Sequence, residues 1–178
     1  DLDISIIDEL PPNRKKVDTF AVKKNMEERV NNFVKKQINE GRQAYIVCPL
    51  VEENEEMDLK SVEELTKKYK EETFSEYKVE YLHGKMKAKE KDAIMEKFKN
   101  GEIDILISTT VIEVGVNVPN SSIMVIENAE RFGLAQLHQL RGRVGRGEYK
   151  SYCILKYHGN SETIRERMKV MTSTNDGF

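Results

Sequence analysis

The chain has 178 residues, 34% of them charged and 38% hydrophobic, and a net charge of −2. That composition excludes a disordered or fibrous chain, and the near balance of charge means that any nucleic-acid contact must rest on a local patch. One domain with a proper core is the expected size class, and no apolar run approaches the ~18 residues that cross a bilayer.

Cys48 and Cys153 are far apart, with no Cys-x-x-Cys, which fits a reducing cytosol and offers no zinc site. His83, His138 and His158 show no ligand-like spacing, and no signal peptide opens the chain. Ile4-Ser5-Ile6-Ile7-Asp8-Glu9 has the form of a Walker B strand, but no G-x-x-x-x-G-K-[ST] phosphate loop exists for it to serve. His83-Gly84-Lys85 comes nearest, yet Met86 follows and Val79 stands where the first glycine belongs.

Val17–Val22 reads as a strand. Met26, Val30, Phe33, Val34 and Ile38 repeat at helical spacing, with Gly41 as the stop. Ala44–Val47 is a buried strand closed by Pro49, and the acidic stretch 52–58 reads as a solvated loop. Ser61 and Glu64 have capping-box spacing, which predicts a helix opening there and burying Val62, Leu65 and Tyr69. Strand 78–82 runs into His83-Gly84-Lys85. A helix over 87–99 then buries Ile94 and Phe98 and stops at Asn100-Gly101. Strands follow at 103–107, 123–126 and 152–155, and a last helix from Ser161 buries Ile164, Met168 and Met171. This alternation predicts an α/β fold, an open, mostly parallel sheet flanked by helices. Ligands collect at the carboxyl ends of strands in such sheets, so His83-Gly84, Ser108-Thr109-Thr110 and Glu127-Asn128 should line one edge.

The stretch Gly133–Gly147, GLAQLHQLRGRVGRG, carries the most chemistry. At 100° per residue Leu134, Leu137, Leu140 and Val144 form an apolar seam, while Gln136, Gln139, Arg143 and Arg146 gather on another side. Gly142 and Gly145 fall where that helix should still run, each costing ~1 kcal/mol relative to alanine. A backbone that accepts this beside two planar cations suits a close approach to something, a phosphate chain being the obvious candidate. A loose Gly/Arg segment or a solvated helix end would also carry such residues; the regular seam argues against both.

Gln139, Gly142, Arg143, Gly145 and Arg146 resemble motif VI (Q-x-x-G-R-x-G-R) of superfamily 2 helicases. The wider spelling 127–147 is most similar to the bacterial fork-reversing, branch-migrating DNA helicases, with the transcription-repair coupling factors as near relatives; His138 favours the former. Residues 108–119 resemble motif V of the same superfamily, and Tyr81–Met86 the segment between motifs IV and V that lies against the DNA strand. The likeness implies a RecA-like second motor lobe of P-loop NTPase type without its own P-loop, residues 17–160. An inter-lobe connector would occupy 1–16, and 161–178 would start a C-terminal helical segment. It implies that Arg143 and Arg146 are arginine fingers and that Gln139 steadies them or the attacking water. Gly115 and Asn117 would face the nucleotide along with Gln139, Arg143 and Arg146. His83, Gly84, Lys85, Thr109 and Thr110 would touch the DNA backbone.

Here the sequence departs from its relatives: the usual aspartate of Gly-Val-Asp-x-Pro is Asn117, which brings no charge to a ribose hydroxyl. The hydroxyls of 108–110 would serve equally as helix caps, and Lys85, Lys87, Lys89 and Lys91 as a solvated face. Arg141 points elsewhere on the helix, to a salt bridge or a DNA contact. The implied cofactors are ATP and Mg2+, held mainly by a first lobe. The implied partners are branched double-stranded DNA and, in the same full-length chain, that lobe and a wedge domain. No membrane is involved; a bacterial, cytoplasmic, nucleoid-associated enzyme is implied, and the fragment alone is expected to be inactive. The coupling-factor lobe and a non-catalytic DNA-binding module are the competing readings.

Overall fold

The computed structural model describes residues 17–50, 54–109, 118–145 and 147–173. The Walker B look-alike, the connector, Thr110, Gly115, Asn117 and Arg146 lie outside the described residues.

Six strands of the described residues form one sheet: β1 (Val17–Val22), β2 (Gln43–Cys48), β3 (Val79–Leu82), β4 (Ile105–Thr109), β5 (Ser121–Ile126) and β6 (Ser151–Lys156). Their order is β1-β6-β5-β2-β4-β3, and every pairing is parallel. Among the described residues five α-helices cover it: α1 (Glu27–Asn39), α2 (Glu55–Lys68), α3 (Ala88–Lys99), α4 (Leu134–Arg141) and α5 (Glu162–Ser173). β2, β4 and β5 are buried at every position because helices lie on both faces, which is why their sequences are nearly continuous apolar runs.

The strand alternation sorts the core. Ala44, Ile46, Ile105, Ile107, Ile123 and Val125 face α1 and α2, meeting Val30, Val34, Ile38 and Val62. Tyr45, Val47, Leu106, Met124 and Ile126 face the other way, onto Phe98 of α3, Leu137 and Leu140 of α4, and Met168 and Met171 of α5. At ~25 cal/mol per Å2 of apolar surface, these two layers are the dominant favourable term in folding. α5 is part of this core, so the lobe's packing continues through the last described helix.

Four local expectations change. Strand β4 begins at Ile105 rather than Ile103 and runs on through Ser108 and Thr109, which are therefore strand residues. The acidic stretch is not wholly loop: α2 starts at Glu55, capped by Asn54, whose side-chain oxygen accepts from Glu56 N (2.7 Å) and Met57 N (3.3 Å). Glu55, Glu56 and Asp58 are then first-turn carboxylates, where the helix dipole favours negative charge. Ser61 and Glu64 lie inside that helix and do not open it. Finally, α4 stops at Arg141 and does not run to Gly147.

The cap assignment makes opposite predictions for two residues. Asn54→Ala should lower stability by about 1 kcal/mol in denaturant titration, because two helix N–H groups lose their acceptor. Ser61→Ala should be neutral or stabilising by about 0.5 kcal/mol, as for any exposed mid-helix serine.

Candidate nucleotide and nucleic-acid interface

Parallel strands put every strand's last residue at one edge of the sheet and every first residue at the other. Leu82 of β3 pairs with Ser108 of β4, so His83 and Thr109 leave neighbouring strand ends at the carboxyl edge. Both side chains are buried, at 4% and 3% exposure. His83 Nδ1 accepts from Lys85 N (3.1 Å) and its carbonyl from Met86 N (3.0 Å), so the residue shapes a tight turn with its ring inside. Its Nε2 is buried without a hydrogen-bond partner. Gly84 is exposed, and a Cβ there would meet nothing within 4 Å, so no contact within the chain requires a glycine. Lys85 is exposed too, its Nζ 3.8 Å from Glu56 Oε2.

Glu127 follows β5 at the same edge and is engaged inside the protein. Its Oε2 accepts from Tyr69 Oη (2.7 Å) and Lys156 Nζ (3.1 Å), while Lys156 also approaches Glu27 Oε2 at 3.8 Å. Burial first, then the Glu127 charge, holds the Tyr69 phenol well above its ordinary pKa. The neighbouring Cys48 thiol is pushed up to about 12, by burial and then by Glu127. This cluster ties the end of α2 to β5, β6 and α1; two acidic residues, a lysine and a tyrosine far apart in sequence gave no signal of it.

The arginine stretch does not share that edge. α4 buries Leu137 and Leu140, and Val144 is buried beyond it, as the seam predicts, while Gln136 and Gln139 are exposed. Gly133 N donates to Gln136 Oε1 (3.0 Å) at the helix start. At the other end Gly142 N donates to His138 O (3.0 Å) in ordinary helical geometry, and Gly145 then turns the chain with φ +86°. Arg143 therefore stands past the helix end rather than on a face shared with Gln136 and Gln139. The chain goes on to the amino edge: Gly147 packs on Pro119 just ahead of β5, Arg42 ahead of β2 lies 3.3 Å over the Tyr149 ring, and Lys150 pairs with Asp18 at 3.0 Å. The segments after β3, β4 and β5 share the carboxyl edge as expected, while the arginine stretch leads to the opposite one, because α4 must carry the chain back across the sheet before parallel β6 can start.

Arg143 is half-buried, and its guanidinium makes no hydrogen bond or ion pair with the described residues. Burial raises the nearby Tyr45 phenol, and the Arg143 charge partly offsets this. Arg141 is the opposite case. It is 0% exposed, and its guanidinium donates to Thr19 Oγ1 (2.9 Å), Met171 O (2.8 Å) and His138 Nδ1 (3.1 Å), so its primary work is neither a surface salt bridge nor a DNA contact. It clamps α4 to β1 and α5. Arginine can only donate, so His138 Nδ1 is the acceptor and the imidazole proton sits on Nε2. Burial, and then the Arg141 charge, lowers the His138 pKa from 6.5.

The all-parallel six-stranded sheet between two layers of helices is a RecA-like α/β lobe. The chain belongs to the helicase conserved C-terminal domain family, whose model matches residues 25–148. It is 50% identical to the ATP-dependent DNA helicase RecG of Bacillus subtilis and 48% identical to that of Thermotoga maritima, over 178 residues in each case. All of this chain is covered, against 26% and 23% of those proteins, so it spans about a quarter of their length. A solved structure of RecG bound to a three-way DNA junction matches 96% of this chain and 22% of that one, with TM-score 0.78 and 46% identity. The second domain of a DEAD-box helicase, bound to an RNA duplex, shares the fold at 18% identity, with TM-score 0.60 over 88% of this chain and 70% of that one.

Two measurements check the electrostatics. With both thiols pushed up to about 12, Cys48 and Cys153 should resist alkylation at pH 8 and react fully once the chain is unfolded. For His138 the folded pKa lies below the unfolded one, so the unfolded state binds the proton more readily. Its stabilising contribution is present above pH 6.5 and is lost as pH falls below it. The melting temperature should drop between pH 7.5 and 5.5, and less steeply in His138→Gln.

Proposed function

We propose that this chain is the second motor lobe of an ATP-dependent DNA helicase or translocase acting on branched DNA, as in fork reversal and Holliday-junction branch migration during repair and recombination. The observation that carries the reading is the helix stop at Gly142, which leaves the Arg143 guanidinium without a carboxylate of its own among the described residues. Phosphoryl transfer builds negative charge on the γ-phosphate, and an arginine placed there from outside contributes ~10³–10⁵ in rate. Arg143 and Arg146 supply that charge, with exposed Gln139 of α4, four residues before Arg143, steadying it or the attacking water. Gly115 and Asn117 face the same nucleotide.

ATP and its Mg2+ are held mainly by a first lobe elsewhere in the full-length chain, with a wedge domain engaging the junction. This chain has no phosphate loop, and no group of three acidic, histidine or cysteine residues able to hold a metal occurs among the described residues. The DNA backbone runs along the carboxyl edge, past Gly84, Lys85, Thr109 and Thr110. With the His83 ring buried, the 83–85 segment contacts phosphates through its backbone and Lys85 rather than through imidazole. Such contacts hold a moving protein without reading sequence. The lobe runs from residue 17 through α5, preceded by a connector over 1–16.

The test uses the full-length protein. Arg146→Ala should lower DNA-stimulated ATP hydrolysis at least ~10³-fold and abolish unwinding of a branched substrate, with junction affinity changed little. Unwinding at near wild-type rate removes the arginine-finger role. The isolated 178-residue chain should show no DNA-stimulated ATP hydrolysis, and turnover there would contradict the division of labour between lobes.

A further inference from the structure

The backbone on both sides of Arg146 is held by requirements that only glycine meets, and the two requirements differ. Gly145 has φ +86°, a left-handed conformation that side chains resist. Gly147 has no such torsion, but a Cβ there would stand 2.8 Å from the Pro119 carbonyl oxygen, 3.0 Å from Pro119 Cβ and 3.2 Å from its carbonyl carbon. Two of those three atoms are backbone, so no rotamer change relieves the clash. Gly142 is different: a Cβ there would lie 3.4 and 3.5 Å from the Gln139 and His138 carbonyl oxygens, nearly ordinary contact.

Pro119 is also moored. The next residue, Asn120, accepts from Gln43 N (3.0 Å) and donates through Nδ2 to Gly41 O (2.8 Å) and Gln43 Oε1 (3.0 Å). Gln43 is itself buried, with Nε2 donating to Phe98 O (2.7 Å) and Ile103 O (2.8 Å), and Ser121 N donates to Val118 O (2.9 Å). The seat beneath Gly147 is thus fastened to α3 and to the amino ends of β2, β4 and β5.

We infer that Gly147 is a positioning residue for Arg146: its contact with Pro119 sets how far the arginine turn stands from the sheet, and so where Arg146 delivers its charge. The inference rests on the motor-lobe reading above. A side chain at 147 lifts the turn off its seat. A misplacement of about 1 Å at a catalytic group costs ~10²-fold in rate, while ground-state binding of ATP depends mainly on the other lobe.

The experiment measures steady-state ATP hydrolysis by the full-length protein with a three-way DNA junction, alongside junction affinity and melting temperature. Gly147→Ala should lower kcat about 10–100-fold while KM for ATP and Kd for the junction stay within about threefold and the melting temperature falls only modestly. Asn120→Ala loosens the seat without adding an atom and should lower kcat in the same sense, which keeps the test open should Gly147→Ala not fold. A Gly147→Ala protein with kcat within about threefold of wild type overturns the inference. So does a fall in kcat matched by equal losses of junction binding and thermal stability. Wild-type protein without DNA-stimulated hydrolysis would sink the motor-lobe reading instead, so the two failures stay distinct.

Discussion

A parallel sheet imposes one constraint on everything built upon it: each strand starts at one edge and finishes at the other, roughly 17–20 Å away for strands of this length. Residues that follow strands and residues that precede them cannot be neighbours. Here that rule divides the functional segments. The turn after β3 and the end of β4 lie at the carboxyl edge, while the arginine turn leads to Pro119 at the amino edge. Thr109 and Val118 bound the segment between the two, so one stretch of sequence leaves the carboxyl edge and arrives at the amino edge.

The arginines of the 141–146 stretch illustrate how identical side chains take opposite roles. Arg141, still on α4, meets Thr19, Met171 and His138 in a site closed to water and becomes structural. Burying a guanidinium is tolerable only because hydrogen bonds replace its hydration. Arg143, two residues on and past the helix end, is only half-buried and has no carboxylate among the described residues. A guanidinium so placed suits an anion from outside. The difference is made by the helix stop at Gly142.

Much of the fold was legible because β2, β4, β5 and β6 are dense apolar runs and α1 repeats its apolar residues at helical spacing. The misreadings have physical causes. Glu55, Glu56 and Asp58 read as loop, yet first-turn carboxylates are favoured at a helix start, and Asn54 supplied the cap. The pattern of α4 continues formally through Val144, so periodicity could not show that the helix ends at Arg141. The burial of Arg141 depends on partners 122 and 30 residues away, and the need for glycine at 147 depends on Pro119; neither is a local property. The arginines and glycines could be picked out from the sequence, whereas their division into clamp, turn and seat could not.

The central claim is that this lobe brings guanidinium charge to a triphosphate held by another lobe. The most direct measurement is a structure of the full-length protein with a branched DNA and an ATP transition-state analogue. The account predicts a guanidinium of Arg143 or Arg146 at about 3 Å from the oxygens of the γ-phosphate mimic, with Gly147 still seated on Pro119. Both guanidiniums bonded to carboxylates of their own lobe, away from the analogue, would contradict it.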